Sequence, residues 1–351
     1  MTKTVRILSL DGGGIRGVIP ALVLAEIERR TGRPISDLFH LVAGTSTGGI
    51  LAAGLALPRG AAPAFTAADL YALYRDRGRE IFQRSLWKGF TSLGGLTDEK
   101  YAHANLENIL RETLGNALLS SVRSDIMVTA YDLERREPHF FKSWKAQGRE
   151  LEQDRTPPER AKDRDFFLRD ICRATSAAPT YFEPALIRSS NRERYALVDG
   201  GVFANNPSMC AYVAGRRIYP GAERFVVVSL GTGELERPIP YADARNWGLL
   251  GWIRPILSVI MDGVEDTVHY QLKQLFDRND YFRFQTDLDR FGPGDDGPND
   301  DFDDASSANI AKLTRKAEIM IAAKSSRLDQ LCTLLGEPLT TRDDLGYPPP
   351  A

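Results

Sequence analysis

Two rhythms of apolar positions alternate along this chain. Short, nearly continuous apolar runs cover Val5–Leu10, Leu38–Ala43, Ile126–Tyr131 and Arg224–Leu230, with lesser ones at His139–Trp144, Tyr195–Val198 and Tyr281–Phe284. Runs of this length bounded by turn residues predict strands, and the least interrupted predict strands buried on both faces. Between them the spacing turns helical. Ile19, Leu22, Val23 and Ile27 mark Val18–Arg30; Ile50–Leu57 is rich in Ala and Leu; Leu70, Leu73, Tyr74, Ile81 and Phe82 mark Thr66–Gln83. The pattern predicts further helices over Tyr101–Leu119, Phe166–Ala178, Val259–Asp277 and Ser306–Leu335, and one starting after Asn205-Asn206-Pro207. Such alternation points to an α/β fold around a mostly parallel sheet. No internal repeat interrupts it.

Four strand ends carry small-residue loops, one of them Gly231-Thr232-Gly233 after Arg224–Leu230. Val5–Leu10 runs into Asp11-Gly12-Gly13-Gly14-Ile15-Arg16-Gly17 and then a helix. A glycine loop opening a helix presents consecutive backbone N–H groups, which suit either a phosphate or the oxygen of a tetrahedral intermediate. Gly12, Gly14 and Gly17 fit G-x-G-x-x-G, yet a dinucleotide site also needs an acidic residue closing the second strand. Here that strand closes on Gly44-Thr45-Ser46-Thr47-Gly48, and Asp37 precedes it. This second loop is a G-x-S-x-G turn between a strand and a helix, which forces its serine outward at a helix N-terminus. Ser46 is therefore a candidate nucleophile, the plainer reading being a helix cap. The third loop, Asp199-Gly200-Gly201, ends Tyr195–Val198 and offers either an aimed carboxylate or a simple turn.

Composition narrows the partners. With 351 residues and a net charge of -2, the chain can bury a large core and has no global field for nucleic acid or anionic lipid. Three cysteines, Cys172, Cys210 and Cys332, are widely spaced and odd in number, which fits packed thiols in a reducing compartment. The first apolar run is too short for a signal peptide and no later run reaches membrane-spanning length, so the expected location is cytoplasmic with peripheral membrane contact. Residues 85–97, with Leu86, Trp87, Phe90 and Leu93, offer a lid or membrane-contact loop, or else core cover. The charged stretch at 145–165 predicts a solvated insertion. So does Asp287–Asp304, dense in Asp, Gly and Pro, whose spacing does not match a calcium loop.

Taken together, Asp11–Gly17, Gly44–Gly48 and Asp199–Gly201 resemble the patatin-like phospholipase family in content, order and separation, and Arg173–Pro179 and Val198–Pro207 are similar to further family segments. The resemblance covers about the first two-thirds of the chain. It implies a three-layer α/β/α fold, a Ser46–Asp199 dyad without histidine, an oxyanion hole on the first glycine loop, and hydrolysis of acyl esters of membrane glycerophospholipids. It also implies residues 1–210 as the catalytic core, with 211–351 completing the sheet and adding helices. The whole-chain layout resembles bacterial effectors of anti-phage defence, which implies that a cyclic dinucleotide activates the protein and that it degrades the membrane from its inner face.

A serine–acid–histidine order would need its histidine after Asp199, and only His269 qualifies, inside a helical pattern; His40, His103 and His139 precede the acid. Asp199 is thus expected to take the Ser46 proton directly. Oxyanion donors are expected from Gly12, Gly13, Gly14 and Ile15, with Thr47 as a further one, and Arg16 either contacts a lipid phosphate or forms a structural ion pair. No metal or organic cofactor is called for. A nucleotide-binding sensor, or a non-lipid esterase on the same fold, is the rival reading; assembly into a homo-oligomer stays open.

Overall fold

A computed structural model describes residues 2–82, 99–149, 164–234, 239–252, 255–292, 296–299 and 301–349. In chain order its main elements are β1 (Thr4–Leu10), α1 (Val18–Thr31), β2 (Leu41–Thr45), α2 (Thr47–Ala56), α3 (Ala67–Phe82), α4 (Glu99–Leu114), β3 (Asp125–Asp132) and β4 (Glu137–Lys142). There follow α5 (Leu168–Thr175), β5 (Ala185–Arg188), β6 (Arg194–Asp199), α6 (Gly201–Ala204), α7 (Ser208–Ile218) and β7 (Arg224–Leu230). The C-terminal part supplies α8 (Pro255–Leu275), β8 (Tyr281–Phe284), α9 (Ser307–Ala323) and α10 (Ser325–Gly336).

The main sheet runs β8-β7-β1-β2-β3-β6-β5, with β4 also paired to β3. From β8 to β3 every pairing is parallel. β4, β6 and β5 are antiparallel additions at one side. Alternation along the central strands divides the core in two. Leu8, Leu10, Val42, Ile126, Val128, Val226 and Val228 face a cluster shared with residues of α1, α2, α3, α4, α5, α9 and α10, whereas Val5, Ile7, Leu41, Ala43, Met127 and Val227 face one shared with α7 and α8. Helices on both sides make three layers, and near-continuous apolar strands are what that burial demands.

Some boundaries differ from the periodic pattern for local reasons. The predicted helix 101–119 ends at Leu114 because Gly115 takes a left-handed φ of 57°, and its N–H closes on the Arg111 carbonyl. The predicted Ser306–Leu335 is two helices, broken at Lys324 and opened by Ser306, whose side chain accepts from the Asn309 N–H at 3.2 Å. β5 is too short and alternating to stand out as an apolar run. Asp287–Asp304 is not simply a solvated loop, since its end folds back on the first glycine loop: the Phe302 carbonyl accepts from Ile15 N–H at 2.9 Å. The stretch 85–97 with Trp87 and Phe90, and most of 145–165, lie outside the described residues. Among the described residues no helix is long and apolar enough to cross a membrane.

Candidate active site

Ser46 sits one residue beyond β2, at the first turn of α2, with φ 55° and ψ -123°. A non-glycine residue rarely adopts this conformation, which costs on the order of 1–3 kcal/mol and persists only where neighbours enforce it. The neighbours are visible. A Cβ on Gly44 would lie 2.1 Å from the Gly48 carbonyl oxygen, and one on Gly48 would lie 2.2 Å from the Leu10 carbonyl oxygen, so only glycines let β1, β2 and α2 converge this closely. The Ser46 N–H donates to Thr175 Oγ1 at 2.8 Å, and that hydroxyl donates to the Thr129 carbonyl at 2.7 Å. Thr45 Oγ1 adds a bond to the Ala204 carbonyl at 2.6 Å and lies 2.7 Å from Thr129 Oγ1. These threonines, which sequence reasoning missed, lash the turn to β3, α5 and α6. A polar residue inside an apolar strand, as at Thr45 and Thr129, was the available signal.

Asp199 reaches Ser46 from the opposite direction. The glycine loop and Ser46 follow the ends of two parallel strands, β1 and β2, whereas β6, which carries Asp199, runs antiparallel to β3. Thr45 pairs with Thr129 and Ala130 pairs with Asp199, so the registers of two adjacent strand pairs bring the C-terminal end of β6 level with the end of β2. The Ser46 hydroxyl lies beside the Asp199 carboxylate and favours its charged form, and Asp199 Oδ1 accepts from Gly201 N–H at 2.8 Å. Asp199 is only 3% exposed, and burial pushes its pKa up to about 7 although Ser46 and the Gly201 amide both favour the charged form. A carboxylate ordinarily too weak to deprotonate a serine is thereby brought near neutrality.

His269, His40 and His139 have other partners. His269 Nδ1 lies 3.0 Å from Tyr281 OH, and burial with Arg283 nearby lowers its pKa. His40 accepts from Arg6 N–H at 3.0 Å and sits against the Thr340 carbonyl; His139 is packed among Phe141, Phe166 and Tyr195.

The first glycine loop borders the serine, since a Cβ on Gly12 would stand 3.3 Å from Ser46 Cβ. Its amides, from Gly12 to Ile15, are not equivalent. Gly12 N–H is committed to the Asn205 carbonyl at 3.1 Å and Ile15 N–H to the Phe302 carbonyl. Gly13 and Gly14 N–H have no acceptor among the described residues. A trans peptide points its C=O and N–H in opposite directions, so each pinned carbonyl aims the next amide. The Gly12 carbonyl is held by Thr232 Oγ1 at 2.8 Å and Asn205 Nδ2 at 3.5 Å, and the Gly13 carbonyl by Arg16 N–H at 3.1 Å. Arg16 itself is occupied with loop geometry: its Nε lies 3.4 Å from the Gly13 carbonyl, its Nη1 3.2 Å from the Gly233 carbonyl, and its guanidinium 4.7 Å from the Phe302 ring centre.

Behind the loop lies a charged cluster. Asp11 pairs with Arg283 Nη1 at 2.6 Å, and Arg283 Nη2 with Glu265 at 2.5 Å. Burial works against the Arg283 charge, but the two carboxylates outweigh it and raise its pKa. None of these partners followed from the motif, because they come from β8 and α8.

Residues 8–212 match the family model described as Patatin-like phospholipase. The chain is 30% identical to Patatin-like protein 1 of Arabidopsis thaliana, over 93% of this chain and 83% of that one. It is 31% identical to a Solanum tuberosum protein named Probable inactive patatin-3-Kuras 1, over 91% and 87% of the two chains. Among solved structures, VipD from Legionella pneumophila aligns with 92% of this chain and 67% of its own, at 11% identity and a TM-score of 0.40.

Proposed function

The chain belongs to the patatin-like phospholipase family, a family of lipid acyl hydrolases, and from that premise we propose that Ser46 and Asp199 hydrolyse acyl esters of membrane glycerophospholipids through an acyl-serine. One similar relative bears a name that marks it inactive, so geometry must carry the catalytic roles. The observation that carries them is the strand register that sets Asp199, a buried carboxylate with its pKa pushed up to about 7, beside the Ser46 hydroxyl.

Ser46 Oγ attacks the ester carbonyl carbon while its proton passes to Asp199. The carbonyl oxygen, now negative, lies against the N–H groups of Gly13 and Gly14, with Thr47 N–H at the start of α2 as a third donor. Each such donor contributes about 3 kcal/mol in the transition state. Collapse expels the lysophospholipid alkoxide, which takes the proton back from Asp199. Water then attacks the acyl-serine, giving its proton to Asp199, and the fatty acid leaves as Ser46 recovers its own.

A fluorophosphonate probe and phospholipid hydrolysis test this together. Wild-type protein is expected to be labelled at Ser46 and to release fatty acid; Ser46→Ala should do neither, Asp199→Asn should lose hydrolysis, and His269→Ala should keep it. An unlabelled wild-type protein would favour the sensor reading instead. The finer expectation of a cyclic-dinucleotide-activated anti-phage effector carries its own test. Vesicle hydrolysis should rise with one member of a panel of cyclic dinucleotides, and rates unchanged by every member would sink it.

A further inference from the structure

The amide donors of Gly13 and Gly14 are aimed by groups that do not touch substrate, and the hydrogen bonds around the loop converge on one carboxylate. Glu265, on α8, accepts from three side chains. Arg283 Nη2 donates to Oε1 at 2.5 Å, Gln285 Nε2 to Oε1 at 2.7 Å, and Asn205 Nδ2 to Oε2 at 3.1 Å. Each donor leads to a different strand of the site. Asn205 receives Gly12 N–H on its carbonyl and turns its side-chain amide to the Gly12 carbonyl. Gln285 Oε1 receives Gly233 N–H at 2.8 Å, and the Gly233 carbonyl in turn holds Arg16 Nη1, whose backbone N–H fixes the Gly13 carbonyl. Arg283 reaches Asp11, the residue that opens the glycine loop, and also Ser229 Oγ at 2.8 Å.

We infer that Glu265 is a positioning residue for the oxyanion donors: it orients the Asn205 and Gln285 amides and the Arg283 guanidinium, and these fix the peptide planes of Gly12 and Gly13. The inference rests on the hydrolase reading above. A carboxylate is suited to the place because it can accept all three hydrogen bonds and donates none. A glutamine there would oppose an NH₂ to at least one donor, leaving Asn205, Gln285 or Arg283 unmatched in a buried setting. Asn205 shows what orientation means here. With Nδ2 held by Glu265, its Oδ1 faces the Gly12 side, where a Cβ on that glycine would stand 2.4 Å away. Released from Glu265, the amide can turn over and its grip on the Gly12 carbonyl is lost. The Gly13 N–H then swings with that peptide plane.

The test uses a trifluoromethyl ketone, which binds a serine hydrolase as a tetrahedral oxyanion adduct. In the full chain, Glu265→Gln is expected to weaken that inhibitor on the order of 10–100-fold, less than loss of a whole oxyanion donor, and to lower kcat by a similar factor with KM for a short soluble ester unchanged. Merely structural damage that lowers the active fraction would reduce kcat but leave the inhibitor constant of the remaining active protein where it was. Asn205→Ala, which leaves the Asp11–Arg283–Glu265 cluster intact, should show the same paired loss and serves if Glu265→Gln folds poorly. Unaltered inhibitor affinity in both variants overturns the inference. Failure of the wild-type protein to form the adduct would instead overturn the serine hydrolase reading, and the role of Glu265 with it.

Discussion

Asp199 shows what a single residue gains from its surroundings. Its folded pKa of about 7 lies above the ordinary carboxylate value of about 4, so the folded protein holds that proton more tightly than the unfolded chain. Two consequences follow with opposite signs. Hydrolysis needs the ionised form and should climb with pH through about 7 before levelling. Stability from the raised pKa is fully present below about 4 and is lost as pH rises through about 7. Asp199→Asn has no such loss, so its melting temperature relative to wild type should increase between pH 5 and pH 8; a flat difference would mean that Asp199 ionises without penalty. The sequence singled out Ser46 and Asp199 by their glycine neighbours. It also nominated Gly12 and Ile15 as donors, because a motif records which amides are present and not which carbonyls already occupy them. Those carbonyls, of Asn205 and Phe302, lie far along the chain.

At the scale of elements, the serine turn works because a strand and a helix meet with almost no space between them. Gly48→Ala places a methyl group against the Leu10 carbonyl, and should cost about 1–3 kcal/mol in urea denaturation and misplace Ser46. The contrast is Gly263, helical, exposed and with nothing within 4 Å of an added Cβ; Gly263→Ala should gain about 0.5–1 kcal/mol. If both changed stability in the same direction, close approach would not be what Gly48 provides. The parallel strands and the first helices were legible because uninterrupted apolar runs and a 3.6-residue spacing survive in the sequence. β5 was not, since four residues with alternate ones exposed carry too little pattern. The orientation of β6 was not legible either, because a strand buried by its neighbours reads alike in both directions.

Across the whole molecule, the end of the chain is tied beneath the sheet, away from the candidate site. Asp125, fully buried at the start of β3, accepts from Tyr219 OH and Tyr347 OH at 2.7 Å each and pairs with Arg342 at 3.2 Å. Asp125→Ala leaves the Tyr347 hydroxyl without its acceptor, leaves Tyr219 OH only the His40 carbonyl at 3.2 Å, and should cost about 1–3 kcal/mol. Chemical denaturation would measure this, with activity per folded molecule preserved. Equal loss of activity per folded molecule would show that this tie also governs the site.

The sequence by itself determined the α/β class, the mostly parallel sheet and the family, because each is written in local spacing or in short glycine motifs whose chemistry needs few residues. The tertiary structure alone decided that β6 would bring Asp199 back against the parallel strands, and which amides of the glycine loop already have carbonyl partners. It also decided that α8 would supply the carboxylate behind them. Strand register and hydrogen-bond partners are set by what packs against what, and packing joins residues whose positions in the chain leave no mark of one another.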